Sequence, residues 1–221
     1  MINLSISPEL KALWSPTLVG CLQYKARVEQ HNELLWNEID ALCDEIRHTM
    51  TIDDIARQPH IRDTREAYKA TGKKPSRYRV SPEALLRRII QGKGLYRVNT
   101  IVDINNLVSI LSRFSLGSFN LDRIQPPVVF GTGAENETYT GIGKGVINIE
   151  DLPVFRDSAG AFGSPTSDSE RAMVTPGAER FLTVIISFSG ILYEVREYLD
   201  ITADLLWRYA GGHSFEQQIV E

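Results

Sequence analysis

The chain has 221 residues, 43% apolar and 24% charged, proportions that let a domain bury its own core and exclude disordered, fibrous and three-domain architectures. No apolar run reaches the roughly 18 residues of a bilayer span, no basic and apolar leader opens the chain, and Cys21 and Cys43 are too far apart for a CxxC pair, so a cytoplasmic protein is expected. The net charge of −4 argues against a uniformly basic nucleic-acid binder, yet residues 61–97 carry 11 Lys/Arg against 3 Asp/Glu between two acidic flanks, a local excess that suits a phosphate backbone.

Tyr24 to Met50 reads as a long amphipathic helix, with Val28, Leu35, Ile39, Leu42, Cys43 and Ile46 at helical spacing. Short helical turns are predicted over Thr51–Arg57 and Ile61–Ala70, the second stopping at Gly72. Everything up to that point reads as α. Ser81-Pro82-Glu83 has the pattern of a helix start, with a capping hydroxyl, a first-turn proline and a carboxylate at the positive dipole end. Asn99 is the expected cap of the next helix, whose broad apolar stripe (Ile101, Val102, Ile104, Leu107, Val108, Leu111) suits a central position. From Pro126 the pattern turns to short extended pieces at 128–130, 137–139, 145–149 and 154–156. Phe181–Phe188 is the strongest strand signal, β-branched and aromatic, and belongs in the middle of a sheet. Gly190–Tyr209 closes as a helix before Gly211-Gly212. Helices, then strands, then a helix make an α+β fold with a mixed β-sheet and packed helices.

Several motifs fail on inspection. Gly131-Thr132-Gly133-Ala134-Glu135-Asn136 has Asn where a dinucleotide fingerprint needs its third Gly. Gly141-Ile142-Gly143-Lys144-Gly145 lacks both the opening Gly and the closing hydroxyl of a phosphate loop. His31-Asn32-Glu33 has no downstream Cys pair to complete a zinc site. No cofactor and no metal are therefore expected. The four histidines, His31, His48, His60 and His213, lie away from the central polar loops, which argues against a nucleophilic triad.

The informative stretch is Val98-Asn99-Thr100-Ile101-Val102-Asp103-Ile104-Asn105-Asn106-Leu107-Val108-Ser109, followed by Leu116-Gly117-Ser118-Phe119-Asn120-Leu121-Asp122-Arg123-Ile124. With Tyr78–Arg88 upstream and Ser167–Thr175 downstream in the same order, it resembles the B3/B4 domain of the phenylalanyl-tRNA synthetase β subunit, and still more the free-standing bacterial B3/B4 proteins, over about residues 60–205. In the synthetase this domain is the editing site that removes tyrosine from the phenylalanine tRNA. The resemblance implies a tRNA-binding, editing-type protein acting in trans on mischarged aminoacyl-tRNA, or alternatively a non-catalytic module for a free amino acid or similar small ligand. Ligase activity is not implied, since no class II catalytic domain fits in the remainder. Residues 1–60 are expected to form a helical segment packed on a B3/B4-like domain of residues 61–221, closing helix included. Two positions depart from the family pattern: Gly117 stands where the synthetases commonly have His, and Asn120 where they have Asp.

Candidate site residues follow from chemistry and resemblance together. The loop Gly163–Arg171 packs hydroxyls, carboxylates and a guanidinium into nine residues. Its alternative is an ordinary solvated turn. As a hydrolytic loop, Asp168 or Glu170 would orient water, Ser167 and Ser169 with backbone amides would hold the oxyanion, and Ser164, Thr166 and Arg171 would contact substrate. Asp103 and Asn106 are expected either to hold the amino group of the substrate or to cap loops and satisfy buried backbone groups, and Asn99 is expected to contact substrate. Lys73, Lys74, Arg77, Tyr78 and Arg79 form a basic loop with an interleaved aromatic, a pattern suited to phosphates and a stacked base.

Overall fold

The computed structural model describes residues 1–221. The elements run β1 (Leu4–Ile6), α1 (Pro8–Leu13), β2 (Leu18–Lys25), α2 (Glu33–Thr49), α3 (Ile52–Ile55), α4 (Pro59–Ala70), α5 (Ser81–Ile90) and α6 (Thr100–Ser112). They continue with β3 (Ser115–Asn120), β4 (Val128–Thr132), β5 (Thr138–Gly141), β6 (Gly145–Asn148), β7 (Pro153–Asp157), β8 (Gly160–Gly163), β9 (Arg180–Ser187), α7 (Leu192–Ala210) and β10 (His213–Val220). No helix is long and apolar enough to cross a membrane.

Three layers result. The central sheet has the order β10-β2-β9-β3 and is antiparallel throughout. Strand alternation divides its side chains between two cores. Leu22, Tyr24, Phe181 and Ile185 face α6 and α7, whereas Val19, Cys21, Leu182, Val184 and Ile186 face the second sheet, β1-β4-β7-β8, with its rings Phe130, Phe155 and Phe162. β9 is interior and almost wholly buried, as its β-branched sequence predicts. β5 and β6 form a separate hairpin, joined to the 163–171 loop by an antiparallel bridge between Gly141 and Ser169.

The α+β class holds, but the first 60 residues are not purely helical. The helix predicted from Tyr24 begins at Glu33, capped by Asn32, whose side chain accepts from Leu35 N at 3.1 Å. Before it runs β2, an interior strand. α7 crosses β2 at Gly20, where a Cβ would stand 2.6 Å from Val195 Cγ1, so the glycine is needed for helix and sheet to meet. β2 is buried on both faces and lacks the polar alternation by which a half-exposed strand is recognised.

Two helix starts behave differently. Asn99 caps α6 as expected, accepting from Val102 N at 3.0 Å. Ser81 does not cap α5: its hydroxyl has no partner, and its N–H donates to Pro165 O at 2.8 Å. Glu83 is buried between Arg65 and Arg87, at 3.0 and 3.1 Å, so its charge is neutralised by ion pairs rather than by the helix end.

Candidate active site

At the free edge of β3, α6, the β5–β6 tip and residues 168–174 enclose a cavity of about 230 Å³. Val98, Val102, Ile142, Met173 and Val174 make its apolar walls. Its polar lining is Asn99, Asn105, Ser118 and Asp168. Asn99, Val102 and Asn105 are three apart along α6 and therefore share one face.

Two glycines make room for Asp168. A Cβ on Gly163 would stand 3.1 Å from Asp168 Oδ1 and 2.5 Å from Phe119 Cζ, and one on Gly117 would stand 3.4 Å from Asp168 Oδ2 and 2.7 Å from the same ring atom. Gly117 is thus where it is because Phe119 and Asp168 occupy the space a larger side chain would need. Asp168 accepts one long hydrogen bond from Ser164 N, 3.3 Å. Burial pushes its carboxyl up to about 7, against the opposing effects of that bond and of the Lys144 charge. The hairpin tip is fastened alongside by Ile142 N, which donates to Asp168 O at 3.0 Å.

The rest of the 163–171 loop is occupied with its own structure. Ser164 Oγ donates to Ser167 O at 2.7 Å and accepts from Ser167 N at 3.1 Å. Tyr139 hydroxyl donates to Ser167 O, and Thr166 hydroxyl bonds Tyr68 at 2.9 Å. Ser169 is buried and caps a short turn by accepting from Arg171 N at 3.2 Å. Arg171 grips Asp157 through both nitrogens, at 2.9 and 3.2 Å, and also donates to Gly160 O and Arg123 O. Glu170 is exposed and has no partner. Asp168 and Asn99 are therefore the predicted residues that reach the cavity, while Ser164, Thr166, Ser167, Ser169 and Arg171 brace it and Glu170 faces solvent.

Asp103 takes the structural role. It accepts from Trp36 Nε1 at 2.8 Å and Val98 N at 3.0 Å and lies outside the cavity. Asn106 also lies outside it and its side chain makes no hydrogen bond; the neighbouring Asn105 lines it. Asn120 caps the turn after β3, accepting from Asp122 N at 3.0 Å. No histidine reaches the cavity: His31 pairs with Glu33, His48 contacts Asp44 O, His60 stacks on Phe114 at 4.0 Å and His213 contacts Gly211 O.

The basic segment adjoins the loop. Tyr68 and Ser81, on its two flanks, bond Thr166 and Pro165. Tyr78 is half-buried, with the Lys73 ammonium over its ring at 4.3 Å, and Lys73 also donates to Asn148 Oδ1 at 3.2 Å. These contacts fix Tyr78 and Lys73 within the protein. Lys74, Arg77 and Arg79 are exposed and their side chains have no ion pair or hydrogen bond, although the Arg77 guanidinium lies 5.8 Å from the centre of the Tyr78 ring, so their charges face solvent.

The N-terminal fragment of the phenylalanyl-tRNA synthetase β-subunit from Pyrococcus horikoshii is similar in structure, with a TM-score of 0.51 and 16% identity, over 99% of this chain and 50% of that one. This chain thus spans about half the length of that fragment, and at such low identity the likeness is one of fold. No curated protein matches the chain in sequence. Residues 63–218 match the B3/4 domain model, which takes in the cavity, the basic segment and most of the central sheet, and on that match the chain belongs to the B3/4 domain family.

Proposed function

We propose that this chain binds tRNA and hydrolyses the ester of a mischarged aminoacyl-tRNA in trans, as an editing module does. The carrying observation is Asp168, a carboxylate in a small, largely apolar cavity whose burial pushes it up to about 7. A base is most effective when its proton affinity lies near the working pH. The cavity is smaller than the roughly 300 to 1,000 Å³ of drug-sized sites, a scale that suits one amino-acid side chain. Family membership and the synthetase-like fold support the choice of substrate.

In this reaction Asp168 takes a proton from water as the water oxygen attacks the ester carbonyl. The Asn99 amide N–H, which has no partner within the protein, donates to the resulting oxyanion. Collapse breaks the bond to the ribose oxygen, which takes the proton back from Asp168, and amino acid and tRNA leave. Lys74, Arg77 and Arg79 would hold the phosphate backbone beside the loop.

A panel of aminoacyl-tRNAs incubated with the purified protein tests this reading. Deacylation of at least one mischarged species is expected. Hydrolysis of none, combined with binding of free amino acid, would establish the non-catalytic module instead. Replacing Lys74, Arg77 and Arg79 together by Ala should lower the slope of log affinity against log salt by roughly 2 to 3, at 0.7 to 0.9 per phosphate contact. An unchanged slope would remove tRNA from the assignment.

A further inference from the structure

A chain of hydrogen bonds runs from the cavity into the core. Ser118 Oγ donates to Asn105 Oδ1 at 3.1 Å, Ser118 and Thr183 hydroxyls lie 2.8 Å apart, and Thr183 and Tyr24 hydroxyls 3.0 Å apart. Tyr24, Thr183 and Ser118 are buried on three neighbouring strands. Asn105 also donates from Nδ2 to Leu116 O at 3.3 Å.

The direction of every proton follows. Turning the Asn105 amide over would set its oxygen against the Leu116 carbonyl, so Oδ1 faces Ser118. A hydroxyl has one proton. If Ser118 gives its proton to Asn105, Thr183 must donate to Ser118 and Tyr24 to Thr183. Reversing the order would leave the Tyr24 proton buried with no acceptor, a cost that the forward order avoids. Ser118 thus has no proton left for the cavity and can only accept there, whereas the second N–H of Asn105 has no partner and can only donate.

We propose that Asn105 and Ser118 are a specificity-determining pair that reads a neutral group able both to donate and to accept, a hydroxyl or a carboxamide, on the side chain of the ligand. This rests on the reading of the cavity as the ligand site. A carboxylate would meet Ser118 with no proton between them, and an apolar end would leave the Asn105 N–H buried and unpaired.

The test uses amino-acid amides matched in shape: threonine against valine, tyrosine against phenylalanine, and glutamine against methionine. Each is titrated calorimetrically into the full chain. The polar member of at least one pair should bind about tenfold more tightly or better. Ser118→Ala and Asn105→Ala should each bring that preference within about threefold, at unchanged thermal midpoint or, where one variant is unstable, in the other. Tyr24→Phe keeps the ring between Phe181 and Phe215 and should retain the preference, because Asn105 stays the only acceptor. Binding without preference, or preference surviving both alanine variants, overturns the pair and leaves the cavity as a site. Loss of preference in Tyr24→Phe overturns the proton direction on which the pair depends. Binding of no member of any pair overturns the cavity reading and the pair together.

Discussion

Asp157 and Asp168 stand near one another in sequence, both close to the β7–β8 sheet edge, and their surroundings drive them in opposite directions. Burial raises the proton affinity of Asp157, but amide bonds from Gln125 and Ala159 and the two-pronged grip of Arg171 outweigh it and hold the carboxyl below its usual range. Asp168 is half-buried without such compensation, has one long amide bond, and is driven by desolvation up to about 7. The same side chain is a fastener where it meets Arg171 and, in the proposed reaction, the base where it meets the cavity. What separates them is the number of donors the fold supplies.

Removing the poised group should have the largest effect. Asp168→Asn preserves shape, so deacylation should fall by about 100-fold to 10,000-fold, the range for a lost acid or base, while the urea midpoint stays the same or rises. Single-turnover rates read separately from tRNA affinity check this, and a loss of affinity alone would make Asp168 a binding group only. Arg171→Ala, by contrast, should act on stability. It leaves the fully buried Asp157 with two amide donors, at a cost of roughly 2–3 kcal/mol after allowing for the partial exposure of the guanidinium. If Arg171→Ala abolished turnover at full stability, the two aspartates would not be divided in this way. Gly117→Ala probes the space behind the base. A methyl 2.7 Å from Phe119 Cζ should cost about 1–3 kcal/mol through overpacking, read from the thermal midpoint.

The sequence reveals the parts of this arrangement that depend on local periodicity. α6 with its Asn99 cap, interior β9 and closing α7 all announce themselves, since each carries one regular stripe or run. β3 does not, because Gly117-Ser118 in its middle has the composition of a turn and only contact with Phe119 and Asn105 explains those residues. β10 is hidden for another reason: it is a polar edge strand, half exposed, with two glutamines in its centre. In the loop, the collection of hydroxyls and carboxylates is legible, but the division of labour is not. Arg171 is engaged by Asp157, which arrives from β7, and nothing local says so. Asn105 could have been preferred to Asn106, since it continues the three-residue step from Asn99 and Val102.

The contrast also sets the pH dependence of stability. Between pH 3.8, the ordinary value, and about 7 the unfolded chain has released the Asp168 proton while the folded chain keeps it. The unfolded state then binds fewer protons, so this group makes stability fall as pH rises through that window and adds nothing further above it. Asp157 acts in the other direction: its contribution is present above the ordinary carboxylate value and disappears as pH falls through its lowered one. Urea midpoints at pH 5 and pH 7.5 should therefore differ less in Asp168→Asn than in the parent. An identical difference in both would mean that Asp168 titrates normally.

The smallest effect is expected at Glu170, two residues after Asp168. It is exposed and its carboxylate has no hydrogen bond or ion pair, yet by sequence it competes with Asp168 for the role of base. Glu170→Gln should leave stability within about 0.5 kcal/mol, as surface changes away from caps and pairs do, and should leave the deacylation rate within about twofold. The comparison is informative because, above about pH 7, both substitutions remove one charge from the same loop. A general electrostatic contribution of the loop would therefore slow both variants, whereas a base that must touch water inside the cavity slows only Asp168→Asn. If Glu170→Gln were the severe variant, the loop would have to turn over for reaction, and the cavity behind Gly117 and Gly163 would not be where the ester is cleaved.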